Sequence, residues 1–251
     1  MSAPYTLLHT GPFAPEQVRL HVRPGLRTYS PELERRIEEA WAAAAASGLH
    51  LWDGPVYSLL GSGVSAAGTL ACEVQQTSYK AFYGTNVCHS ESITDRALLA
   101  NSLACCCVCH TSDGHILLGR RSHTVAEDQG VWHIPGGNLD DLSAGHAAPF
   151  MQIRREVEEE AHVRAQHIER LVCMGMGRNN RSHKPEFLFF ARLHLNADEL
   201  RARLHMAEDA NEHTTWLLLP VGEVQSFFAT HEVAGIGQAA LALWEQLRGA
   251  L

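Results

Sequence analysis

The sequence predicts a layered fold of the α/β (α+β) class, with a smaller mixed lobe over residues 1–92 ahead of a main domain over 93–251. Three observations carry this. Strand-like and helix-like patterns interleave from about residue 103 to the C-terminus, which calls for a sheet covered by helices. A turn signal, Thr111-Ser112-Asp113-Gly114, joins two short apolar runs as a hairpin. Residues 30–48 carry helix start and stop signals inside an otherwise strand-like N-terminal segment.

In chain order, residues 5–22 alternate apolar and polar around Gly11-Pro12 and predict an early hairpin. Ser30 is a good N-cap, Pro31 suits the first turn and Gly48 suits the stop, so a helix spans 30–48. Its alanines 42–46 predict a tight packing face. Strand character follows at 49–60 and 68–75, then a polar-aromatic segment at 77–86 and a short Ala/Leu helix near 95–101. Strands are expected at 103–109, 115–120 and 131–134, the last ending in a Pro135-Gly136-Gly137 turn. A helix from about 149 to 162 buries Ile153 and Val157, four residues apart. Strands at 168–176 and 186–195, a helix at 197–206, a strand at 216–219 and a helix at 237–248 complete the reading.

The chain has 251 residues, 45% hydrophobic and 19% charged, within the range of one large or two smaller domains. Its net charge of −8 gives no electrostatic reason to expect nucleic acid, and an anionic substrate needs local compensation from a metal or from arginines. No stretch is long and apolar enough to span a membrane, and the N-terminus lacks the basic-then-apolar pattern of a signal peptide. A cytoplasmic location is the expectation, with the nucleus as alternative; oligomeric state is left open. Seven cysteines, four of them at 105–107 and 109, lack standard zinc spacings and read as small core side chains of a strand rather than as a thiolate site. The sixteen histidines show no paired ligand spacing.

The run Arg155-Glu156-Val157-Glu158-Glu159-Glu160 carries the chemistry. On a helix, at ~100° per residue, Glu156, Glu159 and Glu160 share roughly a third of the circumference, and Glu158 points nearly opposite. Three like charges on one face are either solvated or hold a cation. All-oxygen ligation suits Mg2+, which commonly serves phosphate chemistry.

With Gly136-Gly137 upstream and His162-Val163 downstream, this run resembles the Nudix box, G-x5-E-x7-R-E-U-x-E-E-x-G-U, where U is a bulky apolar residue. The second half is intact. The spacer from Gly137 to Arg155 is four residues longer, Ala147 stands at the offset of the first Glu, and His162 replaces the final Gly, a position where histidine still tolerates positive φ. Residues 77–86, 120–127 and 175–179 are similar to segments of one Nudix branch, the UDP-glucose/UDP-galactose diphosphatases (type-22 Nudix proteins), which have plant nucleotide-sugar hydrolases as relatives.

The resemblance implies a Nudix fold, a mixed β-sheet sandwiched between helices, with the N-terminal lobe contributing to the nucleotide site. It implies Mg2+-dependent hydrolysis of a nucleotide sugar, UDP-glucose or UDP-galactose, to UMP and sugar 1-phosphate, with Mn2+ as an alternative ion. Glu156, Glu160 and Glu159 are the implied metal ligands, and Arg155 the residue that holds a glutamate in place. Trp52, Tyr79, Arg121, Ala126, His133, Asn138 and Asp140 are the implied substrate positions, although the branch has other residue types at 133 and 138. Glu212 stands where many Nudix proteins place a loop glutamate; it is a base or a solvated loop residue. Two other readings stay open: a diphosphatase for another nucleoside diphosphate derivative, such as GDP-mannose or ADP-ribose, and a non-catalytic nucleotide-sugar-binding protein.

Overall fold

The computed structural model describes residues 3–49, 51–207, 212–249 and 251. Met1-Ser2 and His50, the latter inside the strand expected at 49–60, lie outside the described residues.

Two sheets organise the chain. The larger, mixed sheet is built from β1 (Tyr5–Phe13), β5 (Ala104–His110), β6 (His115–Arg121), β9 (Ile168–Asn179), β10 (Pro185–Leu193) and β11 (His213–Pro220). Their order is β1-β9-β10-β5-β6-β11. Only β10 and β5 run parallel among these pairs; the rest are antiparallel. Two short strands attach to it, β7 (Trp132–His133) beside β6 and β8 (Gly136–Asn138) beside β5. The smaller sheet contains β2 (Val18–Leu26), β3 (Pro55–Val64) and β4 (Leu70–Ser78), in the order β2-β4-β3.

Side-chain alternation along β5 shows how the large sheet is sandwiched. Cys105, Cys107 and Cys109 face one core with Phe150, Ile153 and Val157 of α3 (Ala148–Ala161), α4 (Ala197–Arg203) and the small sheet. Cys106 and Val108 face the other core, closed by α5 (Val224–Thr230) and α6 (Gly235–Leu247). These cysteines are buried, as expected of core side chains. A third cluster packs α1 (Pro31–Ala46) against α2 (Tyr79–Phe82) and the wide turn that follows it. Gly84 in that turn makes the approach feasible, since a Cβ there would lie 2.8 Å from the Ile37 Cα.

The start signal of α1 and the stop signal of α3 operate as read. Ser30 caps α1 by accepting from the Leu33 amide at 3.3 Å. His162 ends α3 at φ 52°, ψ 36°, the left-handed conformation its box position requires. Several local expectations are corrected. Residues 5–22 are not a hairpin: β1 joins the large sheet and β2 the small one. The alanine run is mostly exposed, with only Ala44 buried, because alanine favours helix whether or not it is packed. The helix expected near 95–101 is a single 3-10 turn at Arg96–Leu98. Gly136 and Gly137 pair with Cys106 and Cys105 as a strand rather than forming a turn. Helix α5 had no counterpart in the sequence reading.

Candidate active site

Helix α3 crosses beneath β8, and the contact is built by the absence of side chains. A Cβ on Gly137 would lie 2.3 Å from Glu156 Oε1, and one on Gly136 would lie 2.3 Å from the Cys105 carbonyl. The Gly136 amide donates to Glu160 Oε1 at 3.1 Å. Glu160 is 2% exposed and its Oε2 has no hydrogen-bond partner. His213 Nε2 stands 3.7 Å from that oxygen. Burial, then the charges of Arg121 and His133, lowers the His213 pKa to about 3, so the imidazole is neutral and offers Glu160 no compensating charge.

Burial above all, reinforced by Glu156 and Glu212, pushes the Glu160 carboxyl well up. Glu156, one turn earlier, is raised to about 7, again mainly by burial. Gln152 donates to Glu156 and accepts from Arg155 at 2.9 Å. Arg155 also donates to Asp140, and its Nε lies 3.9 Å from Glu159. Glu158 turns to solvent, 3.5 Å from Arg164. Two desolvated carboxylates one turn apart, one with an orphaned oxygen, fit a hard cation with oxygen ligands. Among the described residues, no three His, Cys, Asp or Glu side chains are gathered as a ready metal cluster.

Above the helix opens a cavity of about 630 Å³. Trp52, Tyr79, Arg121, Ala126, Asn138 and Asp140 all line it, with Arg155, Glu156 and Glu159. His133 is not among its lining residues; it borders a smaller cavity behind Gly136 and Gly137, where its Nδ1 donates to the Ile134 carbonyl. Glu160 lies below the cavity floor.

Trp52 and Tyr79 are brought together by backbone. The Tyr79 amide donates to the Gly54 carbonyl at 3.0 Å, and the Lys80 amide to Asp53 Oδ1 at 2.9 Å. The Trp52 indole lies against Gly54, where a Cβ would sit 1.7 Å from the ring; the residue lines the cavity and is 62% exposed. Tyr79 packs edge-on to Trp41, with ring centroids 6.4 Å apart. Asn138 Oδ1 accepts from Ser102 at 2.9 Å.

Arg121 leaves the end of β6 and donates to Glu212 Oε2 at 2.7 Å. Burial works against its charge, but Glu212, Glu160 and Glu127 outweigh burial and raise its pKa. Lining or supporting residues that escaped the sequence reading include Val56, Gln152, Lys184 and His213. Lys184 stands in a loop that was read only as a connection. His213 carried no spacing signal, because its partner Glu160 is on a distant helix.

A large mixed sheet between helices, with a box helix of buried carboxylates under a nucleotide-sized cavity, defines a class of pyrophosphate hydrolases. The chain belongs to the NUDIX domain family, whose model matches residues 101–236, just over half of its length. It is a pyrophosphate hydrolase of nucleotide derivatives, and hydrolases of this family generally use divalent metal ions. It is similar to the human uridine diphosphate glucose pyrophosphatase NUDT22, 23% identical over 93% of this chain and 89% of that one. It is also similar to Nudix hydrolase 9 of Arabidopsis thaliana, 22% identical over 86% and 80%. Among solved structures, a NUDIX hydrolase from Nitrosomonas europaea aligns at a TM-score of 0.41 and 15% identity, covering 58% of this chain and 88% of that one. Among the described residues, no helix is long and apolar enough to cross a membrane.

Proposed function

We propose that this chain hydrolyses the pyrophosphate of a nucleotide sugar, with UDP-glucose or UDP-galactose as substrate and UMP and the sugar 1-phosphate as products. The observation that carries this reading is the single cavity lined by aromatics from the N-terminal lobe, by Arg121 and by the α3 carboxylates. A uracil face stacks on an exposed indole or tyrosine ring. A diphosphate calls for a fixed guanidinium and a cation source at its other end. The relative named for UDP-glucose matches over nearly the whole chain, N-terminal lobe included, which supports carrying the substrate across.

Glu156 and Glu160, with Glu159 directly or through water, are the residues that would hold Mg2+, Mn2+ being the alternative. The ion supplies charge neutralisation on the phosphates and favours ionisation of water. The remaining work falls to side chains. Arg121 binds phosphate, and Glu212 keeps its guanidinium charged and oriented beforehand. Arg155 and Gln152 fix the Glu156 and Glu159 carboxylates. Ala126 leaves room beside the substrate, while Asn138 and Asp140 border the phosphate end, and His133 holds the Ile134 carbonyl just ahead of the Gly136-Gly137 strand. Water attacks phosphorus in line and the oxygen bridging the two phosphorus atoms departs. The proposed setting is cytoplasmic.

Incubation of the purified chain with UDP-glucose and Mg2+ tests the reading through release of UMP. Glu156→Gln is expected to lower kcat by at least about 100-fold, the order seen when a charge-stabilising group is lost. No UMP, or a Glu156→Gln variant equal to wild type, overturns it. A higher kcat/KM for GDP-mannose or ADP-ribose would move the substrate to another nucleoside diphosphate derivative, and tight UDP-glucose binding without product would make the chain a binding protein.

A further inference from the structure

Residues 175–179 resemble the branch in sequence, yet the reaction above gives neither them nor the loop that follows, to Pro185, a task. In the structure, the turn between β9 and β10 touches both substrate-lining walls. The turn itself is closed by the Asn179 amide donating to the Lys184 carbonyl at 3.0 Å and by the Arg181 amide donating to Asn179 Oδ1 at 2.9 Å. On one side, Asn86 Nδ2 donates to the Ser182 carbonyl at 2.8 Å, tying the turn to the helical segment that begins with Tyr79. On the other side, Lys184 Nζ donates to both oxygens of Glu127, at 3.0 and 3.4 Å. Arg181 pairs with Asp128 at 2.7 Å.

Glu127 and Asp128 belong to the loop between Ser122 and Gly130. Thr124, Val125, Ala126 and Glu127 of this loop line the substrate cavity directly after Arg121. The ends of the loop are zipped by backbone bonds, Gly130 amide to Arg121 carbonyl and Arg121 amide to Val131 carbonyl, both 2.9 Å. Two ion pairs tie its middle to the turn between β9 and β10, and they are unequal. The Arg181 side chain is 69% exposed, where a pair is screened and weak. Lys184 is 8% exposed, lies over the Phe82 ring at 5.1 Å and itself borders the cavity. Removing Lys184 leaves the Glu127 carboxylate without its buried cation, whereas Lys184 without Glu127 still faces Glu186.

We propose that Lys184 is a positioning residue that acts through Glu127: it fastens the Thr124–Glu127 wall at the spacing from Arg121 and Tyr79 that the nucleotide sugar needs. This rests on the substrate reading above. A loosened wall weakens ground-state and transition-state binding alike, so KM rises and kcat holds.

The test has two readouts. In the ligand-free protein, Lys184→Met is expected to speed amide hydrogen exchange in residues 122–130 about tenfold, leaving β9 and the part of β10 beyond Glu186 unchanged. With UDP-glucose, it is expected to raise KM about tenfold with kcat within about twofold. Glu127→Gln, on a partly exposed loop that tolerates it, should reproduce both effects, and the double variant should be no worse than either single one. Lys184→Arg should recover most of the KM. Unchanged exchange in 122–130, or KM effects of the two single variants that add, overturns the proposal. A wild-type chain inactive on UDP-glucose sinks the substrate reading instead, and the exchange experiment still decides the clamp.

Discussion

Glu186, like Glu156 and Glu160, shows how a buried carboxyl contributes to the response of this fold to pH. It is 5% exposed at the start of β10, beside the Cys106 thiol, and also faces Lys184, Glu127 and Asp128. Burial raises its pKa to about 7 even though Lys184 pulls the other way. A carboxyl raised in the folded state prefers to be neutral there, so its contribution is fully present below the unfolded value of 4.5. It is lost as pH climbs through about 7. Urea denaturation of the metal-free protein should therefore show stability falling between pH 5 and pH 8. Glu186→Gln should flatten that fall by about 2 kcal/mol, a shift of one pKa unit being about 1.4 kcal/mol. Parallel curves for wild type and variant would show that Lys184 fully compensates the charge.

Among the elements, β8 and α3 form the part of the site where backbone and chemistry meet. The two glycines of β8 face different neighbours, which separates stability from activity. A Cβ on Gly136 meets the Cys105 carbonyl at 2.3 Å and the Cys106 Cα at 2.7 Å, atoms that cannot yield without moving β5. Gly136→Ala should cost about 2–3 kcal/mol in a denaturation experiment, as overpacking does. The three atoms nearest a Cβ on Gly137 all belong to the Glu156 carboxylate, the end of a side chain that can turn aside by breaking its bond to Gln152. Gly137→Ala should stay within about 1 kcal/mol of wild type while losing about 100-fold in turnover, the penalty of a displaced reacting group. Equal losses of stability in the two variants would contradict this division. The same elements show what was legible in the sequence. The α3 glutamates were readable because their spacing is a property of one helix, and Ser30 and His162 because capping is local. Gly136-Gly137 looked like a turn because glycine is ambiguous alone; its role as a strand depends on Cys105 and Cys106, some thirty residues earlier. The His213–Glu160 and Lys184–Glu127 approaches were invisible for the same reason, since each joins residues more than fifty positions apart.

For the molecule as a whole, the consequential fact is that the N-terminal segment does two jobs. It supplies Trp52 and Tyr79 to the cavity, and it also completes the core of the large sheet. Strand β1 covers the edge of β9 from Tyr5↔Asn179 to Phe13↔Cys173, a pairing across more than 150 residues. Val18, Leu20, Leu70, Cys72 and Val74 of the small sheet pack in the same cluster as Ile153 and Val157 of α3. Removing residues 1–92 would expose that apolar surface and leave β9 as an unpaired edge, which templates association. Each fully buried aliphatic side chain is worth about 2 kcal/mol, so the loss rivals the 5–15 kcal/mol that holds an ordinary domain together. A chain of residues 93–251 is therefore expected to lack cooperative unfolding and near-ultraviolet circular dichroism, and to elute as aggregate from gel filtration. A monomer with a sharp thermal transition would show that the large sheet closes its core unaided. Because the fold and the aromatic wall depend on the same segment, the contribution of that wall to binding has to be measured by Trp52→Ala in the full chain. There the indole is 62% exposed and its loss leaves no core cavity.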